Sequence, residues 1–273
     1  MSPVLRAILL SWDFRLDIVL VLLLTGGVYT LGWLRLRKRG RGVLASRWRL
    51  VSYLGGLVAI ALALLSAIDV IQSLLFFMHM IQHLLLVMIA PPLLLLGSPM
   101  VFLLWGLPAR WRWAASGLLA RKAPFRQGFR RVTTPAISWF LFVIILIGWH
   151  DPNAYNAALK SEWVHDLEHL TFFVSGMLFW WHVVGAAPRI HRHFTYPFRI
   201  VYLLGALPFN MFLGVVLAFA SEPYYSHYTT VPRLWGVTAL ADQQIGGVIM
   251  WVPGSMMYLI AIIILVARLL DES

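Results

Sequence analysis

The chain has 273 residues, of which 60% are hydrophobic and 12% charged, with a formal net charge of +11 and a mean hydropathy of +0.79. A water-soluble domain of this size carries about a quarter charged residues, so composition excludes that class and points to a polytopic membrane protein. Cysteine is absent, which excludes a disulfide framework and any thiolate metal site.

Apolar windows near the roughly 20 residues that span a hydrocarbon core recur along the chain. They run over Leu16–Leu34, Leu50–Val70, Leu74–Leu96, Pro135–Trp149, Trp163–Val184, Ile200–Ala220 and Ile245–Leu265. They predict an all-α bundle of about seven transmembrane helices, without repeat or long linker, forming a single multi-pass domain over residues 1–273. The fourth window is short, and its helix is expected to begin near Val132. The brief apolar run Ala7–Leu10 carries one preceding arginine, and the first long span reads as a retained anchor rather than a cleaved signal. Pro91, Pro92 and Gly97 are expected to kink or end the third span.

Charge placement orients these spans. Arg35 to Arg49 and Arg110 to Arg131 hold two clusters of seven basic residues each, and Arg189, Arg192, Arg199 and Arg268 fall on the same side of an alternating topology. Eighteen of the 22 basic residues then lie on one side and nine of the 11 acidic residues on the other. The positive-inside rule makes the basic side cytoplasmic, which predicts an external N-terminus and a cytoplasmic C-terminus. Solvated orienting loops account for the +11 charge without nucleic acid. The acidic outer rim concentrates cations. The segment Ser221 to Gln244, with Glu222, Pro223, Tyr224, Tyr225, His227, Pro232 and Trp235, reads as an aromatic interfacial lid.

Histidines carry the chemistry. His79 and His83, and His165 and His169, are pairs four apart within apolar spans, so each pair shares one helical face. His150 ends the fourth span, and all five fall at the outer level. Ionisable groups within a bilayer are costly and mark ion sites, proton relays or cofactors. Clustered neutral imidazoles are common ligands of copper, zinc and iron. Glu168 and Gln82, each three residues after a histidine, are candidate orienting groups; Asp69 and Asp242 lie at the same level. Met78, Met80 and Met250 are candidate thioether ligands for Cu(I), although each alone reads more simply as packing. His182, His191, His193 and His227 are expected to have solvated or structural roles. The string His165-Asp166-Leu167-Glu168-His169 also fits the inverted zinc-protease pattern, a match of low specificity.

Together these stretches resemble the polytopic CtaG-type cytochrome c oxidase assembly proteins of bacteria. The resemblance rests on His79-Met80-Ile81-Gln82-His83 leading into Ala90-Pro91-Pro92, on Trp149-His150 with Pro152, Tyr155 and Asn156, on His165-Asp166-Leu167-Glu168-His169, and on Asp242-Gln243 with Met250-Trp251. It implies a non-enzymatic factor in the bacterial cytoplasmic membrane that supports metallation of a haem-copper oxidase. The implied cargo is copper, with zinc or iron as alternatives. The implied partners are the oxidase catalytic subunit, a copper donor protein and the lipid bilayer. Two other classes compete: a di-iron membrane hydroxylase, against which stands the lack of an H-x-x-H-H element, and a bis-histidine haem protein bridged by His83 and His169.

Overall fold

The computed structural model describes residues 12, 14–120, 122–188, 190–191 and 194–272. Arg6, Arg121, Arg189, Arg192, His193 and the Ala7–Leu10 run lie outside the described residues. All regular structure among the described residues is helical. The elements are α1 (Leu16–Lys38), α2 (Arg47–Leu65), α3 (Ala67–Ile71), α4 (Phe76–Leu84), α5 (Ala90–Leu96), α6 (Pro99–Gly106), α7 (Ala109–Leu118), α8 (Pro124–Val132), α9 (Pro135–Trp149), α10 (Pro152–Lys160), α11 (Glu162–Val184), α12 (Tyr196–Ala218), α13 (His227–Thr230), α14 (Ala239–Ile249) and α15 (Ser255–Asp271). π-Helical turns at Leu85–Ile89 and Met250–Gly254 join α4 to α5 and α14 to α15.

Among the described residues five helical stretches are long and apolar enough to cross a membrane: Leu16–Lys38, Arg47–Ile71, Phe76–Leu96, Tyr196–Ala218 and Ala239–Asp271. A sixth arises if α8 and α9, bent by 53° to one another, form one span. The expected extension of the fourth span back to Val132 is therefore corrected. Thr134 caps α9 by accepting from Ile137 N, and Pro135 opens the helix, so the chain turns there instead of continuing from α8. α11 has 23 residues but carries Glu162, Asp166, Glu168 and three histidines, and of these Glu168, His169 and His182 are buried within the bundle.

Proline chemistry shapes the third span. Pro91 cannot donate to the carbonyl of Val87, one turn back, and the indole Nε1 of Trp180 donates to that freed oxygen at 2.9 Å. α11 is thereby tied to the third span. The helix ends at Leu96 before Gly97. In the last span Pro253 sits within the second π turn, and the Asn210 amide donates to Met250 O at 2.9 Å. Gly246 and Gly247 sit at close helix crossings: a methyl group on Gly246 would run into the Phe76 ring, and one on Gly247 into the Ala218 backbone.

The bundle has two chemically distinct ends. At one, His182 Nε2 donates to Thr133 O at 3.0 Å, the buried Arg199 donates to Phe194 O and Val183 O, and Arg35 donates to Trp105 O, Gly106 O and Leu107 O. At the other, Arg15 pairs with Asp166 at 2.6 Å and Arg233 with Asp242 at 2.8 Å. The histidine pairs lie at this second end.

Candidate metal centre

α4 and α11 each place two imidazoles one helical turn apart. Ring centroids are 4.3 Å apart in the His79–His83 pair and 4.1 Å apart in the His165–His169 pair. The two pairs face one another, with 5.2 Å between the His79 and His165 rings and 5.6 Å between those of His83 and His169. One donor atom each from His79, His83 and His169, and separately one each from His79, His165 and Glu168, lie within 4.8 Å of one another. His150, at the end of α9, has its ring 6.4 Å from that of His83.

Glu168 stands inside this group rather than behind it. Its Oε2 is 3.6 Å from His79 Nε2 and its Oε1 is 3.6 Å from His83 Nε2, with no side-chain exposure. Neither carboxylate oxygen has a hydrogen-bond partner. The same is true of the Nε2 atoms of His79, His83, His150, His165 and His169 and of His83 Nδ1. His150 Nδ1–H donates to Leu146 O at 2.6 Å, which leaves its unpartnered Nε2 as a lone pair. Buried polar atoms are nearly always paired, and so many orphans at one point match the donor set of a cation bound by imidazole and carboxylate.

The other candidates fall into two groups. Met80 and Met250 line, with His83, Met88, His150 and Asn210, a cavity of about 40 Å³ beside the cluster. Met78 is half-buried. Gln82 does not orient His79: its amide donates to Ala63 O at 2.8 Å and to Asp69 Oδ1 at 2.6 Å, so both Gln82 and Asp69 link the second and third spans. Asp242 accepts from Phe76 N and Phe77 N at 2.9 and 3.0 Å and from Arg233. It caps α4 from a distant helix and is spent on that task.

Of the remaining histidines, His227 donates to Ser73 O at 2.8 Å and His191 contacts Thr133 Oγ1 at 3.2 Å. Both, like His182, stand outside the cluster. The aromatic segment divides: Tyr224 and Trp235 are exposed, whereas Tyr225 and Tyr228 are buried and so are not part of an interfacial lid, Tyr225 packing on Phe76 and Tyr155 and Tyr228 approaching His79 Nδ1 at 3.4 Å. Tyr155 and Tyr228 are site residues that sequence reasoning missed. The hydroxyl of Tyr155 lies 2.6 Å from His79 Nδ1. Tyr155 belonged to a quoted stretch with His150, but nothing in its spacing tied it to His79.

A second cavity, of about 530 Å³, lies between α1, α2 and α11. Its walls are mostly aliphatic; His169 borders it, as do Arg15 and Asp166 at its polar end.

The chain is 29% identical over 274 residues to uncharacterised proteins of Mycobacterium bovis and Mycobacterium tuberculosis, covering 97% of this chain and 40% of each relative. A protein of Mycobacterium leprae is 28% identical over 269 residues, covering 94% and 39%. The chain thus spans about two-fifths of the length of these relatives. No solved structure matches it. Residues 27–272, which include every histidine of the cluster, match the sequence model described as the cytochrome c oxidase caa3 assembly factor, and the chain therefore belongs to the cytochrome c oxidase caa3 assembly factor family.

Proposed function

We propose that this protein takes up a copper ion at the imidazole–carboxylate cluster and passes it to the catalytic subunit of a haem-copper oxidase during assembly. The observation that carries the reading is the convergence of unpartnered buried donors from His79, His83, His165, His169 and Glu168. A buried carboxylate without hydrogen bonds costs several kcal/mol unless a positive charge compensates it, and a cation among the surrounding lone pairs supplies that charge. Copper suits this donor set because imidazole binds it well and no thiolate is available to hold it irreversibly. His150, Met80 and Met250 line the small cavity beside the cluster and stand outside the donor set that the proposal needs.

In the membrane reading, α11 joins the five apolar spans and the bent α8–α9 pair, counted as one span, as a seventh, with the N-terminus outside and the C-terminus cytoplasmic. The segregation of basic loops to the end opposite the cluster supports that orientation, and it puts the cluster toward the external face of the bacterial cytoplasmic membrane. The 530 Å³ cavity bordered by His169 offers a path to the cluster that avoids the basic end.

The arrangement argues against haem bridging. A bis-histidine haem needs its two imidazoles on opposite sides of a porphyrin plane. The rings of His83 and His169 are 5.6 Å apart with Glu168 Oε1 3.6 Å from His83, leaving no slot for that plane. No second reading is favoured by a specific contact.

Elemental analysis of the purified protein, combined with recovery of oxidase subunits on the same affinity tag, tests the proposal. The expected result is bound copper, co-purified catalytic subunit, and an oxidase that retains haem but loses copper in cells lacking the gene. An oxidase with full copper content in those cells overturns it.

A further inference from the structure

His79 is the ligand candidate whose second ring nitrogen is held by side chains from two other parts of the chain. Its Nδ1 lies 2.6 Å from the hydroxyl of Tyr155, on α10, and 3.4 Å from that of Tyr228, on α13. The two hydroxyls are 3.2 Å apart, and Tyr228 lies 2.8 Å from the carbonyl oxygen of Gln72. All four groups are buried. A phenol hydroxyl carries a single hydrogen at neutral pH.

Counting hydrogens fixes their directions. Gln72 O only accepts, and Tyr228 O–H is the donor it is given, so the Tyr228 hydrogen is spent there. The 3.2 Å contact between the hydroxyls then needs the hydrogen of Tyr155. Tyr155 has none left for His79, and the 2.6 Å contact is satisfied only if Nδ1–H of His79 donates to the Tyr155 oxygen. A neutral imidazole with Nδ1 protonated carries its lone pair on Nε2, the atom that faces Glu168 and has no partner.

We infer that Tyr155 and Tyr228 are positioning residues which, by a one-way hydrogen-bond chain from His79 Nδ1 to Gln72 O, hold His79 in the tautomer that presents Nε2 to a metal ion. The inference rests on the proposed metal cluster for its purpose, but the tautomer itself does not depend on which ion binds. The chain is held mechanically as well as chemically. Tyr155 packs on Phe76 and Tyr225, with centroids 5.6 and 4.1 Å apart. The segment carrying Tyr228 is pinned where His227 N donates to Asn156 Oδ1 at 3.1 Å and His227 Nε2 donates to Ser73 O.

The two phenylalanine variants then differ in a way that packing alone does not produce. In Tyr228→Phe the Tyr155 hydroxyl loses its acceptor and turns its hydrogen onto His79 Nδ1, moving the imidazole proton to Nε2. In Tyr155→Phe the Nδ1 atom loses its close partner and the ring keeps no fixed tautomer. The experiment is 15N NMR of histidine-labelled, metal-free protein, with His79 assigned by its loss in His79→Asn, alongside titration with copper against a competing chelator. Wild type should show Nδ1 as the protonated nitrogen, Tyr228→Phe should show Nε2, and both tyrosine variants should bind copper about 10 to 100-fold more weakly, the range for a group that orients a ligand. A wild-type His79 protonated on Nε2, or a folded Tyr228→Phe protein that keeps Nδ1–H, overturns the inference. If Tyr228→Phe does not fold, the wild-type spectrum decides alone. Absence of copper binding in wild type would refute the proposed function, whereas the tautomer assignment is read on metal-free protein and stands or falls separately.

Discussion

His79 and Glu168 sit on different helices with Nε2 and Oε2 3.6 Å apart, both side chains fully buried and neither atom hydrogen-bonded. That pairing makes Glu168 a member of the donor group and not a residue that steadies it from behind. Glu168→Gln keeps the shape and removes the charge. It should lower copper affinity at least about tenfold while leaving membrane insertion intact. Chelator competition on the purified variant checks this; unchanged affinity would return Glu168 to a packing role.

The imidazoles should separate by position. His83→Ala and His169→Ala each remove a donor from the convergent set and should abolish copper retention and complementation of an oxidase-assembly defect. His191→Ala, at the opposite end beside Thr133, should retain full copper. Copper per protein in the three variants, purified alike, is the measurement. Equal loss in His191→Ala and His83→Ala would remove the cluster from consideration.

Met80 and Met250 border the cavity that also touches His83 and His150. With imidazole and carboxylate donors already sufficient, Met80→Leu and Met250→Leu should retain copper and lose less than about 1.5 kcal/mol of stability, as near-isosteric core changes do. X-ray absorption at the copper edge gives the independent check, since a copper–sulfur shell in wild type that vanishes in either variant would make that thioether a ligand.

Asp242 links two spans by capping α4 and pairing with Arg233. Asp242→Ala strands the backbone N–H groups of Phe76 and Phe77, about 1–3 kcal/mol for each buried donor left unpaired, while the Arg233 guanidinium keeps the carbonyls of Val237, Leu74 and Tyr228. Thermal unfolding in detergent should show a lower Tm. Copper affinity should fall too, because the start of α4 sets the position of His79.

Orientation is open to direct measurement. Reporter fusions after Arg41 and Lys122 should read cytoplasmic, and fusions near Asn153 and Tyr228 external. An external signal at Lys122 would invert the site's placement.

Helical periodicity made much of the site legible from the chain alone. Residues four apart share a face whatever the surroundings, so the pairs His79–His83 and His165–His169 were readable as two imidazole faces, and the apolar windows gave the long helices to within about a turn at most ends. Proline chemistry also acts locally, which is why the stop at Gly97 was visible in sequence. What periodicity does not encode is which face of which neighbour a helix meets. Gln82, one position before His83, turns to Ala63 and Asp69 instead of to the cluster. Asp242 reaches across 166 positions to cap α4, and Tyr228 crosses 149 to approach His79. Such partners are chosen by the packing of glycines and aromatic rings at the crossings, a property of two surfaces at once. The sequence therefore determined which imidazoles share a helical face; the tertiary structure decided that the two faces meet, that Glu168 stands among them and that two tyrosines lie against the far side of His79, because only assembled helices bring those atoms together.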